Sequence, residues 1–229
     1  MRKYGVILAA RLGSQRLPGK ALLPLQNTPM ISFLIRRLQT SKQVSRIILA
    51  TTKLPADDQL KAVAEKEGID IFRGDRDDVV SRFVGAANHF NLEYVVRVTG
   101  DCPFVDGASL DYCIDQCNRH NSFEIASTKT KFPVGIDYEI YQAKAMATLH
   151  LEHLTADERE HLTLGMYNRP ERFKKIQLLP PQDWPKISNT FTIDTAEDYE
   201  TAQGLIRNLK TVHFDIATLL LQAEKQDHP

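Results

Sequence analysis

Leu8-Ala9-Ala10-Arg11-Leu12-Gly13-Ser14-Gln15-Arg16-Leu17-Pro18-Gly19-Lys20 lies between two apolar runs and carries three permanent cations, Arg11, Arg16 and Lys20. Upstream, Tyr4-Gly5-Val6-Ile7-Leu8 reads as a buried strand. Downstream, Ala21 to Leu25 is apolar, and a helical pattern begins at Pro29. The small residues Ala9, Ala10, Gly13 and Ser14 let backbone N–H groups come close to a ligand. Successive exposed amides form an anion-binding concavity. Arginine forks and a lysine point charge neutralise phosphate oxygens. A loop of this chemistry after the first strand of an α/β fold suits a triphosphate. Its spacing is neither G-x-x-x-x-G-K-[ST] nor G-x-G-x-x-G. A solvated surface loop is the plainer use of the same residues.

Outward from this loop the pattern alternates. Arg46 to Thr52 reads as a strand, Pro55 to about Lys66 as a helix ended by Gly68, and Ile69 to Arg73 as a short strand. The β-α-β-α-β order implies parallel strands with right-handed crossovers. Ligands in such sheets bind at the carboxyl ends of strands. The first loop and the turns after Thr52 and Arg73 are therefore expected on one rim. Asp77 and Asp78 sit where the next helix begins, which suits its dipole. Arg82 follows about one turn later.

Glu93 to Thr99 reads as a central strand ending in Thr99-Gly100-Asp101-Cys102-Pro103. A carboxylate across from a triphosphate loop would repel the substrate. A divalent cation between them reverses the sign, and Mg²⁺ prefers one or two carboxylates plus phosphate oxygens and water. Capping the helix that starts near Asp106 is the other use open to Asp101. Beyond it, Ile136 to Tyr141 alternates as a strand with Asp137 and Glu139 on one face. Thr155 with Glu158, and Thr195 with Asp198, have capping spacing. Phe191 to Asp194 reads as a short strand.

The composition limits the rest. The 229 residues suit one domain with a sizeable core. With 29 basic and 29 acidic residues the chain has no net charge, so an anion site must be a local concentration of cations, and nucleic acid is not an expected partner. Cys102, Cys113 and Cys117 show no metal-ligand spacing. No signal peptide or membrane-length apolar run is visible, and a reduced cytoplasmic setting is expected.

The string A-R-x-G-S-x-R-L-P-G-K over residues 10–20 resembles the opening of the sugar-acid cytidylyltransferases, which include the CMP-Kdo synthetases. It is most similar to the branch named after a spore-coat polysaccharide biosynthesis protein. T-G-D-C-P at 99–103, D-T-x-E-D at 194–198, G-x-x-D-D-V-x-x-R at 74–82 and F-P-x-G-x-D-x-E at 132–139 are similar to further motifs of that family, and E-R-E-H-x-T at 158–163 resembles the spore-coat branch. The resemblance runs over residues 1–207. It implies a three-layer α/β/α Rossmann-like nucleotide-diphospho-sugar transferase fold with a mostly parallel mixed sheet. It gives a catalytic domain over 1–208 and a helical extension over 209–229.

On this resemblance Arg11, Lys20 and Asp101 are the expected catalytic residues. Ala9, Ala10, Arg11, Gly13, Ser14, Arg16, Lys20, Gly74, Arg82 and Asp101 are expected around CTP, and Asp101 and Asp194 around Mg²⁺. Lys131, Asp137, Glu139, Glu160 and His161 are expected around a sugar-acid acceptor. The Ile136 to Tyr141 region is expected to form a small lobe that supports a homodimer. A pyrophosphorylase using another nucleotide, a glycosyltransferase using Asp75-Arg76-Asp77, and a non-catalytic nucleotide binder are the alternatives.

Overall fold

In the computed structural model, which describes residues 2–185 and 187–227, the apolar run at the N-terminus forms strand β1 (Tyr4–Ala9). Tyr4 to Leu8 are buried, as expected for a strand covered on both faces. A hairpin follows, β2 (Pro24–Leu25) and β3 (Thr28–Pro29). Its two-residue turn puts Gln26 at φ 47° and Asn27 at φ 61°, a pairing that matches strand twist. Helix α1 (Met30–Leu38) starts directly after Pro29 and buries every residue except Arg36.

The chain continues through β4 (Val44–Thr52), α2 (Asp58–Glu67) and β5 (Asp70–Gly74). Gly68 at φ 67° ends α2 in the left-handed conformation. Next come α3 (Val79–His89), β6 (Tyr94–Thr99) and α4 (Gly107–Asn118). The remainder is β7 (Ile125–Ser127), β8 (Glu139–Gln142), α5 (Ala143–His150), α6 (Ala156–Glu160), α7 (Leu164–Tyr167), β9 (Lys175–Gln177), α8 (Ala196–Ile206) and α9 (Ile216–Asp227).

The main sheet has seven strands in the order β5-β4-β1-β6-β8-β7-β9. All run parallel except β8, which is antiparallel to both its neighbours. Alternate residues of β1 and β6 enter opposite cores. Val6, Leu8, Val96 and Val98 pack with α1, α2 and α4, whereas Ile7 and Val95 pack with α3 and α5. That alternation produces the three layers. Each fully buried aliphatic side chain contributes about 1.5–3 kcal/mol.

The chain leaves β1 for β4 and β5 on one side, then returns to β6 on the other. The strand order therefore reverses between β1 and β6, and a crevice opens beyond their carboxyl ends. Gly100 keeps these ends close. Its N–H donates to Ala9 O at 2.8 Å, and a Cβ there would lie 3.0 Å from Ala10 Cβ and 3.1 Å from Ala9 O.

Two expectations are corrected here. The 136–141 region forms no separate lobe: β8 starts only at Glu139 and is paired on both edges, by β6 and β7. Phe191 to Asp194 is not a strand. It is held by two isolated backbone bonds, Phe191 N to Val134 O at 2.7 Å and Ile193 N to Asp101 O at 2.8 Å. The C-terminal helix is packed into the body, with Ile216, Leu219, Leu220 and Ala223 buried among Met30, Phe33, Phe104 and α8.

Candidate active site

Asp57 anchors the basic loop. Its carboxylate accepts the Leu12 N–H at 2.8 Å and also the Thr52 hydroxyl at the end of β4. The Asp57 residue is only 2% exposed. Within the loop, Gly19 N donates to Leu12 O at 3.2 Å, and Gly19 takes φ 69°, a conformation open to glycine. This closed turn leaves Arg11 and Arg16 exposed and draws Lys20 inward.

Lys20 Nζ lies 3.1 Å from Asp101 Oδ2, 2.8 Å from Asp194 Oδ1 and 2.9 Å from Ile193 O. Arg16 reaches the other oxygen of Asp194 at 2.9 Å. Arg11 is the loop cation without a carboxylate partner among the described residues. Burial raises the Asp101 carboxyl pKa, but the Lys20 charge and the bonds from Thr99 and Lys20 outweigh it, so the group sits below its ordinary value. Capping does not occupy either acid. The cap of α4 is Asp106, which accepts Ser109 N at 2.8 Å, and the box opening α8 is Thr195 with Asp198.

These groups line a cleft of about 580 Å³. Arg11, Arg16, Lys20, Arg76, Arg82 and Arg97 face Asp77, Asp101, Glu160 and Asp194 there, so the cleft is a positive region on a neutral chain. Ala9, Ala10, Gly13 and Ser14 also line it, as expected. Arg82 lines it while only 4% exposed and donates to Asp75 O at 2.6 Å, so it also shapes the 75–76 turn. Burial, with Arg11 nearby, lowers its pKa. Gly74 does not line the cleft; a Cβ there would fall 2.8 Å from Arg82 Cγ, so its absence is what lets Arg82 pass. Asp75 Oδ1 accepts the amides of Asp77 and Asp78, which fixes it in a turn rather than in an Asp-x-Asp pair facing one cation.

Glu160 and His161 line the same cleft. Their placement depends on Arg159, whose guanidinium bonds Asp78 Oδ2 at 2.6 Å. Asp78 also caps α3 through Ser81 N, so one carboxylate ties α6 to α3.

The other expected acceptor residues are not brought together. Lys131 is exposed and outside the cleft lining. Asp137 closes a turn by accepting Gly135 N at 2.8 Å. Glu139 is fully buried, because its side chain enters the layer between the sheet and α7 rather than an open face. It accepts from Arg97, Lys129, Thr163 and Tyr167 at 2.8–2.9 Å. Burial raises its pKa, and the paired Arg97 and Lys129 charges bring it below the ordinary value. Sequence reading missed Asp57, which looked like part of a helix start. It also missed Arg97, although stepping back by twos along the strand from Asp101 points to it.

Asp101 and Asp194 converge on a single ammonium and remain 29% and 27% exposed at their side chains. Two carboxylates open to further oxygen ligands fit the donor set Mg²⁺ prefers in the presence of phosphates. Among the described residues there is no group of three or more His, Cys, Asp or Glu that would enclose a metal with protein ligands alone. No described helix is long and apolar enough to cross a membrane.

The geometry has close parallels in known proteins. A cytidylyltransferase from Leptospira borgpetersenii superposes with a TM-score of 0.92 at 32% identity, covering 99% of this chain and 96% of that one. The spore coat polysaccharide biosynthesis protein SpsF of Bacillus subtilis is 33% identical over 207 residues, 87% of this chain and 84% of the relative. The 8-amino-3,8-dideoxy-manno-octulosonate cytidylyltransferase of Shewanella baltica is 32% identical over 128 residues, 53% of this chain and 51% of its own. The family model described as cytidylyltransferase matches residues 5–225, which includes the basic loop, Asp101, Asp194 and most of α9, and so this chain belongs to the cytidylyltransferase family.

Proposed function

We propose that the protein transfers a cytidylyl group from CTP to a hydroxyl of a sugar-acid acceptor, releasing pyrophosphate, in the making of a surface or coat polysaccharide. The observation that carries this reading is the meeting of Lys20, Asp101 and Asp194 at the carboxyl ends of β1 and β6, beside a loop of cations. The family supports cytidylyl transfer, the name of the Shewanella relative supports a sugar-acid acceptor, and that of the Bacillus relative supports a role in polysaccharide synthesis.

In this reading the acceptor oxygen bonds to the α-phosphorus, the bond from that phosphorus to the β-phosphate oxygen breaks, and pyrophosphate leaves. The hydroxyl proton passes to water. Phosphoryl chemistry of this kind depends on positioning and charge neutralisation. Arg11, Arg16 and Lys20 hold the β- and γ-phosphates and offset charge on the departing pyrophosphate. The amides around Ala9, Ala10, Gly13 and Ser14 cradle them. Arg82, with Gly74 behind it, borders the nucleoside. Glu160 and His161 border the acceptor. Asp101 and Asp194 hold Mg²⁺, which supplies polarisation of the α-phosphate. A homodimer in the cytoplasm belongs to the same reading, and light scattering measures the assembly.

Calorimetry with CTP, UTP, GTP and ATP, each with and without Mg²⁺, tests the proposal. Mg²⁺-dependent binding of CTP that Asp101→Ala weakens is the expected result. Pyrophosphate release on adding a panel of sugar acids then identifies the acceptor. Binding of a nucleotide sugar without binding of any triphosphate overturns the proposal.

A further inference from the structure

Of the cleft cations, Arg76 and Arg97 are accounted for by neither the phosphate loop nor Arg82, and Arg76 sits exposed beside Asp77. Arg97 sits on β6, and with Thr99 and Asp101 it alternates onto the cleft. Its cross-strand partner is Glu139 of β8. Nη1 donates to Glu139 Oε2 at 2.8 Å, the one side-chain bond Arg97 makes among the described residues. Nε and Nη2 have no acceptor there and are not closed off from solvent. The side chain is 24% exposed, whereas Glu139 is fully buried.

The charge around this pair does not balance. Glu139 faces two cations, Arg97 at 2.8 Å and Lys129 at 2.8 Å, and its other contacts are the neutral hydroxyls of Thr163 and Tyr167. One anion against two cations leaves a surplus of a single positive charge; Lys129 is 44% exposed and outside the cleft lining, and Arg97 is the cation that opens on the cleft. An arginine held by a buried carboxylate on one edge presents its remaining N–H groups in a fixed direction. Such a group suits a monoanion with planar acceptor oxygens. It lies on the face of the sheet that carries α3 and α5, and α6 brings Glu160 and His161 to the same cleft.

We propose that Arg97 binds the carboxylate of the acceptor, with Glu139 as the positioning residue that orients it. The proposal rests on the nucleotidyl-transfer reading above and adds the part of the site that recognises an acid. A sugar phosphate carries about two charges and is matched less well by a surplus of one.

Saturation-transfer NMR on the full chain loaded with a non-hydrolysable CTP analogue and Mg²⁺ tests this. The probes are 3-deoxy-manno-octulosonate, N-acetylneuraminate, the methyl ester of each, and glucose 1-phosphate. At least one free acid is expected to bind wild type, with its ester about tenfold weaker or worse. Arg97→Met is expected to weaken that acid about tenfold or more while analogue affinity changes less than about twofold. Arg97→Lys, which keeps the charge on Glu139, is expected to recover part of the loss. Glu139→Gln combined with Arg97→Met removes both charges of the pair and serves if the single variant fails to fold. Equal binding of acid and ester, unchanged acid binding in Arg97→Met, Arg97-dependent binding of glucose 1-phosphate alone, or no acid binding to the loaded protein each overturns the proposal. Failure of wild type to bind the CTP analogue instead overturns the nucleotidyl-transfer reading, and this inference falls with it.

Discussion

Lys20 and Asp194 meet at 2.8 Å although they come from opposite ends of the chain, and the same ammonium lies 3.1 Å from Asp101. One side chain thus joins the loop after β1 to the end of β6 and to the start of α8. Replacing it removes the charge that holds two acids together and, under the proposed function, a phosphate contact. Lys20→Met is expected to lower turnover by about 10²–10³-fold, the range for losing one electrostatic contact to developing charge. Pyrophosphate release measures it.

Under the proposed function the Lys20 charge is also expected to set the acid limb of activity. Asp101 titrates below its ordinary value of 3.8 because Lys20 and Thr99 overcome the effect of burial. A depressed folded-state pKa means that the ionised form, and the stability it contributes, is fully present above the unfolded value and is lost as pH falls through the folded one. Wild type is therefore expected to keep its Asp101-dependent activity down to that lower pH. In Lys20→Met burial is left to act, and the acid limb of the residual rate moves upward. A pH–rate profile of both proteins reads the shift.

Asp57 holds the loop from behind, through Leu12 N and the Thr52 hydroxyl. Asp57→Ala leaves both donors unsatisfied at a site of 2% exposure. A loss of about 1–3 kcal/mol in urea unfolding is expected. The KM for the nucleotide should rise as well, since the loop loses its anchor, and Asp57→Asn should show a smaller change in both.

Gly135 takes φ 86°, and a Cβ there would lie 2.3 Å from Thr192 N. Gly135→Ala pushes the 191–194 segment, which carries Asp194 to Lys20. A destabilisation of about 1–3 kcal/mol is expected from overpacking alone. Mg²⁺ dependence of CTP binding should weaken more than binding without Mg²⁺, and calorimetry separates the two.

Asp78 caps α3 and grips Arg159 at 2.6 Å. Asp78→Ala is expected to lose about 1 kcal/mol from the cap. Because the Arg159 tether goes too, Glu160 and His161 lose their fixed position, and the KM for the acceptor should rise more than that for CTP. Arg159→Lys, which keeps the charge, tests whether the tether needs the guanidinium.

The sequence determined the parts of this protein that depend on short stretches of chain. The apolar runs of β1 and β6, the α2 stop at Gly68, and the capping residues at Thr155 and Thr195 are local, so their side-chain order is enough to read them. The basic loop, Asp101 and Asp194 were legible because each stands at a strand end or helix start with an unusual local pattern. The tertiary structure decided which distant groups share a charge. Asp137 and Glu139 are two residues apart, yet one closes a turn and the other is buried against Arg97 and Lys129. Asp57 resembles a helix-start acid but serves the loop after β1. Such roles depend on strand order, since a sheet places β8 beside β6 and β4 beside β1 by hydrogen bonding between segments far apart in the chain. Periodicity along one segment carries no record of its neighbour, and it is the neighbour that determines whether a carboxylate meets water, a guanidinium or an ammonium.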